Sequence, residues 1–203
     1  MIRNIIFDMG QVLIHWTPAQ MTALPNLPEA DARLVEREVF RGVEWVRLDR
    51  GTITEECAAV SVCQRLPEHL HEGVRQLVAG WWKWPLIPVD GMAELITELK
   101  SKGYGIYLLS NASGRLHEYF HRIPGAEYFD GKVVSADLRL LKPQKEIYDA
   151  LYAQFHLNPE ECVFIDDQPA NVDGAMLTGM NGLVFHGDVI RLRRELCALD
   201  IPV

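Results

Sequence analysis

Ile5-Ile6-Phe7-Asp8-Met9-Gly10-Gln11-Val12-Leu13 is the stretch on which the fold turns. Three consecutive apolar residues end in an acid, and a glycine follows two places later. A run that is apolar throughout, rather than alternating, is the pattern of a strand buried on both faces of a parallel sheet. Four further short apolar runs lie at 106–109, 133–134, 163–165 and 183–185. Helical patterns separate the later runs. Val89, Met92, Ala93, Leu95, Ile96 and Leu99 fall on one stripe, with Gly103 as a stop signal, and Ile147, Ala150, Leu151 and Phe155 form another. Strand and helix in alternation predict an α/β fold, a Rossmann-like doubly wound parallel sheet.

One stretch interrupts the alternation. About 80 residues separate the first two strand runs, far more than an ordinary crossover needs. Segments near 29–41, 54–65 and 67–82 read as helices, with Thr54 as a cap and Pro67 as a helix opener. Residues 16–86 are therefore expected to form a helical cap domain, with Pro85 and Pro88 at the return hinge. Residues 1–15 and 87–203 are expected to form the α/β core.

The chain has 203 residues, 48% of them apolar and 24% charged, which excludes a disordered protein and allows a sizeable core. Twenty Lys and Arg against 28 Asp and Glu give a net charge of −8, which speaks against a dedicated nucleic-acid binder. A small anionic substrate is compatible with local fields that oppose the global charge. Cys57, Cys63, Cys162 and Cys197 show no metal or disulfide spacing and are expected to be free, buried thiols in a reducing, cytoplasmic compartment. The N-terminal residues do not read as a secretory leader, and no stretch approaches membrane-spanning length.

In an open parallel sheet, ligands gather at the carboxyl ends of the strands. The first run ends at Asp8, the second at Ser110-Asn111 and the fourth at Asp166-Asp167, and Lys142-Pro143 follows the third by a short loop. A lone Asp after a strand is usually a helix cap. Four such placements in order point to a site.

IIFDMGQVL, LLSNAS, LKP and FIDDQPANVDGA, in that order, resemble the motifs of the haloacid dehalogenase superfamily over nearly the whole chain. The helical insertion resembles that superfamily's cap. The subgroup most resembled is that of small sugar-phosphate phosphatases similar to glucose-1-phosphate phosphatase. The resemblance implies a Mg²⁺-dependent phosphomonoester hydrolase in which Asp8 attacks phosphorus and forms an aspartyl-phosphate. It implies Asp8, the Gly10 carbonyl and Asp167 as metal ligands with Asp166 in support, an oxygen set suited to Mg²⁺. Ser110, Asn111 and Lys142 would bind the phosphoryl oxygens. Asn171 would shape the metal loop.

Gly10 departs from the superfamily's commonest pattern, which has a second Asp there as general acid and base. The resembled sugar-phosphate subgroup also reads glycine. Without that acid, esters with acidic leaving groups, such as sugar 1-phosphates, are expected to react best. Two alternatives remain: a catalytically impaired binding or regulatory protein, for which Gly10 speaks, and a metal-independent haloacid dehalogenase, against which the acidic pair speaks. His117-Glu118-Tyr119-Phe120-His121 matches the zinc-protease H-E-x-x-H pattern but has only Glu146 as a third ligand, so surface histidines are expected. In the cap, Trp45 and Arg47 precede the turn Asp49-Arg50-Gly51 and are candidate substrate contacts, as is Arg115. Trp81 and Trp82 are expected to glue the cap to the core.

Overall fold

The structure, a computed structural model, describes residues 1–16 and 27–203. Five parallel strands form its sheet: β1 (Asn4–Phe7), β4 (Gly105–Ser110), β5 (Gly131–Val134), β6 (Cys162–Asp166) and β7 (Asn181–Val184). Their order is β5-β4-β1-β6-β7, so the chain first builds outward on one side of β1 and then crosses to the other. The reversal opens a crevice at the carboxyl ends of the central strands. Ile5, Ile6 and Phe7 are fully buried, as a strand with neighbours on both edges and both faces requires. The fifth strand begins two residues before its apolar run and ends one residue before the run does. Phe185 lies past its end, and its residues are half-buried because it is an edge.

Helices cover both faces. On one, α8 (Lys145–Phe155) packs Ile147, Tyr148 and Leu151 against Ile6, Leu109 and Phe164, and α9 (Pro169–Met176) adds Ala175. On the other, α5 (Met92–Ser101) buries Met92, Leu95, Ile96 and Leu99, and α10 (Val189–Ala198) buries Leu192 and Leu196. Gly103, at φ +86°, ends the turn after α5, where an L side chain would be strained. The Asp188 carboxylate accepts from the Ile190 and Arg191 backbone amides and caps α10.

Between β1 and β4 the chain runs through a two-stranded antiparallel ribbon, β2 (Ile14–His15) with β3 (Ile87–Pro88). Among the described residues, four α-helices lie between the ribbon strands: α1 (Glu29–Val35, prolonged by a π turn Glu36–Phe40), α2 (Val43–Asp49), α3 (Glu55–Cys63) and α4 (His71–Gly80). Thr54 Oγ1 caps α3 by accepting from the Cys57 amide at 3.2 Å. Pro67 precedes a 3-10 turn that leads into α4. The segments read from sequence at 29–41, 54–65 and 67–82 thus hold helices, and α2 adds one not expected. Its exposed positions are Val43, Val46 and Arg47, and one of its buried positions is Glu44. Glu44 is bound by Arg65 at 2.8 Å and Ser61 at 2.6 Å, and these hydrogen bonds hold its carboxyl down at about 2. An apolar stripe therefore gives no sign of this helix. The cores of these helices and of the α5–α10 face are continuous.

Two short helices remain near the strand ends, α6 (Leu116–Tyr119) and α7 (Ser135–Leu138). Among the described residues no helix is long and apolar enough to cross a membrane. All four cysteines are free; Cys63 and Cys162 are buried as expected, whereas Cys57 and Cys197 are exposed on their helices.

Candidate active site

Three strands deliver the chemistry. β1 ends into Asp8, β4 ends on Ser110 and β6 ends on Asp166. The parallel register that pairs Phe7 with Leu108 and with Ile165 brings these ends level. Lys142, on the loop between α7 and α8, inserts its ammonium among them. Its Nζ lies 2.8 Å from Asp8 Oδ1 and 2.6 Å from Asp166 Oδ2, and it donates to the Leu109 carbonyl at 2.9 Å. The Lys142 side chain is 1% exposed. Burying an ammonium is costly unless it is paired and hydrogen-bonded, and here it is both. Burial would pull this ammonium down, but Asp8 and Asp166 outweigh it and hold it above its usual range.

Asp166 has no oxygen left for other work. Besides Lys142 it accepts from Asn171 Nδ2 at 3.0 and 3.2 Å and from the Gln168 amide at 2.8 Å. It orients the site, and Asn171 orients it. Asp8 and Asp167 keep oxygens facing the crevice. One carboxylate oxygen from each of Asp8, Asp166 and Asp167 lies within 4.8 Å of the other two. Burial, then repulsion from Asp166, pushes the Asp8 carboxyl up to about 7 against the pull of Lys142. Burial also raises Asp167, against the hydrogen bond from Gln168. Crowded carboxylates held up in this way fit a hard divalent cation, which takes oxygen ligands and neutralises their repulsion.

The crevice opens into a cavity of about 420 Å³. Asp8, Gly10, Ser110, Asn111 and Asp167 form its floor, and Trp16, Trp45, Trp81 and Tyr119 line its walls. The aromatic walls are one packed group. Trp16 stacks on Trp45 at 5.6 Å and meets Trp81 edge-on at 4.6 Å, while Phe40 backs Trp45 at 4.7 Å.

The structure redirects several of the residues picked from sequence. Asn111 reaches the cavity, but its side chain clamps the Lys142 backbone: Nδ2 donates to the Lys142 carbonyl at 3.1 Å and Oδ1 accepts from its amide at 2.8 Å. Its amide is a positioning device for Lys142. Arg47 is exposed and does not line the cavity, because α2 turns it outward. Arg115 faces away too, held bidentately by Glu55 at 2.7 and 2.8 Å and by Glu118 at 2.5 Å. It is a brace between α3 and α6. Trp81 joins the cavity wall as well as the core, whereas Trp82 lies beside Arg115. His117 pairs with Asp137 at 2.8 Å on the surface, and His121 sits on a 3-10 turn past the end of α6, so the two share no helical face.

Asp49 and Arg41 line the cavity and were not singled out from sequence. Arg47, the candidate from this helix, lies two residues before Asp49 and is exposed outside the cavity.

Three relatives bear on this geometry. A sesquiterpene phosphatase of Aspergillus oryzae is 29% identical over 184 residues, covering 88% of this chain and 87% of its own length. A D-ribitol-5-phosphate phosphatase of Bacteroides thetaiotaomicron is 27% identical over 186 residues, 85% of this chain and 86% of its own. In three dimensions, a haloacid dehalogenase family enzyme of Bacteroides thetaiotaomicron, solved with magnesium and inorganic phosphate, superposes at a TM-score of 0.71 and 20% identity, over 95% of this chain and 99% of that one. Residues 2–176 match the haloacid dehalogenase-like hydrolases. With the carboxyl-edge cluster of Asp8, Lys142, Asp166 and Asp167 in place, the chain belongs to that family.

Proposed function

We propose that this hydrolase removes phosphate from a small phosphorylated metabolite, through an aspartyl-phosphate on Asp8 and with Mg²⁺ bound by Asp8, the Gly10 carbonyl and Asp167. The observation that supports it best is the cluster of Asp8, Asp167 and Lys142 at the floor of the aromatic-walled cavity. Mg²⁺, when bound, supplies charge neutralisation for a phosphate dianion entering an acidic site. The chain's own groups do the rest. Lys142 orients the Asp8 carboxylate and favours its ionised, nucleophilic form. Ser110, buried at the end of β4, directs a hydroxyl at the phosphoryl oxygens. Asn111 and Asp166 hold Lys142 in place. The helices of residues 16–86 act as a cap that roofs the cavity and keeps bulk water from the phosphoenzyme. The free thiols suit a cytoplasmic setting.

The experiment is a release assay over a panel of phosphorylated metabolites, with Mg²⁺ and then with EDTA. Activity is expected with Mg²⁺, to vanish in chelator and to return when Mg²⁺ is restored. Full activity in EDTA would count against the metal assignment and for a metal-free family chemistry.

For the leaving group, sugar phosphates are the first class, since tryptophan faces stack on the C–H faces of sugars. The four-ring aromatic wall favours a second class, phosphates of apolar chains or rings, in keeping with the sesquiterpene phosphatase relative. Trp45→Ala distinguishes them by size of effect. It is expected to raise KM for the true class by about 3- to 10-fold, the worth of one aromatic contact. A prenyl monophosphate and a hexose 1-phosphate, run side by side, show which class responds.

A further inference from the structure

Gly10 leaves open where the proton for the leaving oxygen comes from. Packing does not demand glycine there. A Cβ on Gly10 would meet nothing nearer than Trp16 Cβ at 3.8 Å, and its φ is not in the left-handed region. The acid is thus absent from that position although space exists for it.

The cavity walls supply few other candidates among the described residues. Asp8 and Asp167 belong to the nucleophile and metal set. Tyr119 is buried, with its hydroxyl against Met9 Sδ at 3.6 Å and its phenol pushed far up by burial, so it holds its proton too tightly. Arg41 is a permanent cation held by Glu36 at 2.8 Å. Asp49 is the remaining carboxyl that lines the cavity.

The fold grips Asp49 closely. It is the last residue of α2, and its carbonyl accepts from Ser135 Oγ at 2.5 Å. The same Ser135 oxygen accepts from the Ala112 amide at 2.9 Å, so one buried hydroxyl ties α2 to the loop after β4. Two residues on, Gly51 has φ +68°, and a Cβ there would lie 2.4 Å from the Ala136 carbonyl. Only glycine lets the turn press that close against α7. The Ser113 amide favours the ionised form of the Asp49 carboxyl. Cap and sheet are thereby locked at the point where a cap residue meets the site.

We infer that Asp49 is the general acid and base of this hydrolase, delivered by the cap in place of the side chain missing at Gly10. The inference rests on the phosphomonoester-hydrolase reading. In the first half-reaction Asp8 attacks phosphorus and the bond from phosphorus to the ester oxygen breaks. The Asp49 carboxyl gives its proton to that oxygen, and the alcohol leaves. In the second, the Asp49 carboxylate takes a proton from water as the water oxygen attacks phosphorus. The bond from phosphorus to Asp8 breaks and inorganic phosphate is formed. The surroundings keep the acid form available. Burial, and repulsion by Asp8, hold the Asp49 carboxyl well above the usual range, against the weaker pull of the Ser113 amide and Lys142. Its place at the C-terminal end of a helix adds to this, since negative charge is disfavoured there. Tyr119, the other titratable group facing it, is neutral.

The test separates proton transfer from positioning by leaving group. Asp49→Asn is compared with the unmodified protein on an alkyl phosphate and on nitrophenyl phosphate, both with Mg²⁺. On the alkyl ester kcat/KM is expected to fall about 10²- to 10⁴-fold, the usual worth of general acid catalysis. On the nitrophenyl ester, whose leaving group needs no proton, kcat/KM is expected to change less than about 10-fold. A burst of nitrophenolate should then precede a slow steady state, because hydrolysis of the phosphoenzyme has lost its base. Gly10→Asp added to Asp49→Asn is expected to recover alkyl-ester hydrolysis. Asp49→Ser guards against a folding defect in the first variant and should show the same split. Equal losses on both esters without a burst, or unchanged alkyl-ester hydrolysis, would overturn the role of Asp49. An unmodified protein that releases no phosphate and takes up no phosphoryl group overturns the hydrolase reading, and this inference with it.

Discussion

Asp8→Asn should lower kcat by at least about 10³-fold while leaving the chain folded. The amide keeps the shape of the carboxylate but is a poor nucleophile and a poor metal ligand. The fold should tolerate the change because Lys142 retains Asp166 at 2.6 Å and the Leu109 carbonyl at 2.9 Å. Stability should move in the opposite direction to activity. The Asp8 carboxyl is pushed up to about 7 in the folded protein by burial and Asp166, against about 4 in an unfolded chain. A carboxyl that binds its proton more tightly when folded makes stability fall as pH rises between those two values. The Asn variant has no such titration. In EDTA at pH 8 its melting temperature should therefore exceed that of the unmodified protein by several degrees, and the gap should close toward pH 4. Calorimetry at the two pH values checks the electrostatics, and phosphate release checks the nucleophile. A variant less stable at pH 8 would show that the Asp8–Lys142 ion pair dominates instead.

The parts of the site that were legible in the sequence are those set by single strands. The runs at 5–7, 106–109 and 163–165 are apolar without interruption because β1, β4 and β6 are covered on both faces, and their last residues must therefore stand at the sheet edge. Asp8, Ser110 and Asp166 follow from that alone. Lys142 was legible as a motif, but its clamp was not. The bond from its amide to Asn111 spans 31 residues, and no local pattern encodes it. Arg115 failed for the same reason: its partner Glu55 lies 60 residues away in the inserted helices. α2 was illegible because its buried face contains a charge. Arg65 and Ser61 make Glu44 admissible inside, while Val43 and Val46 face solvent, so the hydrophobic period points the wrong way. That inverted period favours Arg47 over Asp49 as a residue facing the site.

That inversion also bears on the leaving-group bias expected from Gly10. With no acid near the site, sugar 1-phosphates would outrun 6-phosphates because a hemiacetal oxygen leaves more readily. A carboxyl brought in by the cap removes the need for such a leaving group. The acid then belongs to a different segment from the nucleophile, and its position depends on how the cap seats. Substrate choice and proton delivery are coupled through one element, since α2 carries both Trp45 of the aromatic wall and Asp49.

The largest effect on stability is expected at Lys142. Lys142→Met keeps much of the aliphatic bulk and deletes the charge. It leaves Asp8 and Asp166 buried, close together and without a cation, since Nζ now lies within 2.8 Å of both. Breaking a buried pair by removing one partner typically costs about 3–5 kcal/mol, because the remaining charge is uncompensated. Here two like charges remain, and Asn171 and the Gln168 amide can offset only Asp166. The penalty must depend on pH. With Lys142 gone, the pull that opposes the rise of the Asp8 carboxyl is lost, so the variant loses more stability as pH rises from the ordinary carboxylate range upward. The unmodified protein loses less over that span, because its lysine stays charged and opposes the rise of the Asp8 carboxyl. In EDTA, denaturant unfolding should thus show a small difference near pH 4.5 and a difference of several kcal/mol at pH 8. Activity should fall as well, as Asp8 loses the ammonium that orients it and favours its ionised form. A difference that did not grow with pH would mean that Lys142 contributes by filling space. The buried ion pairs with Asp8 and Asp166 would then not be what holds the strand ends together.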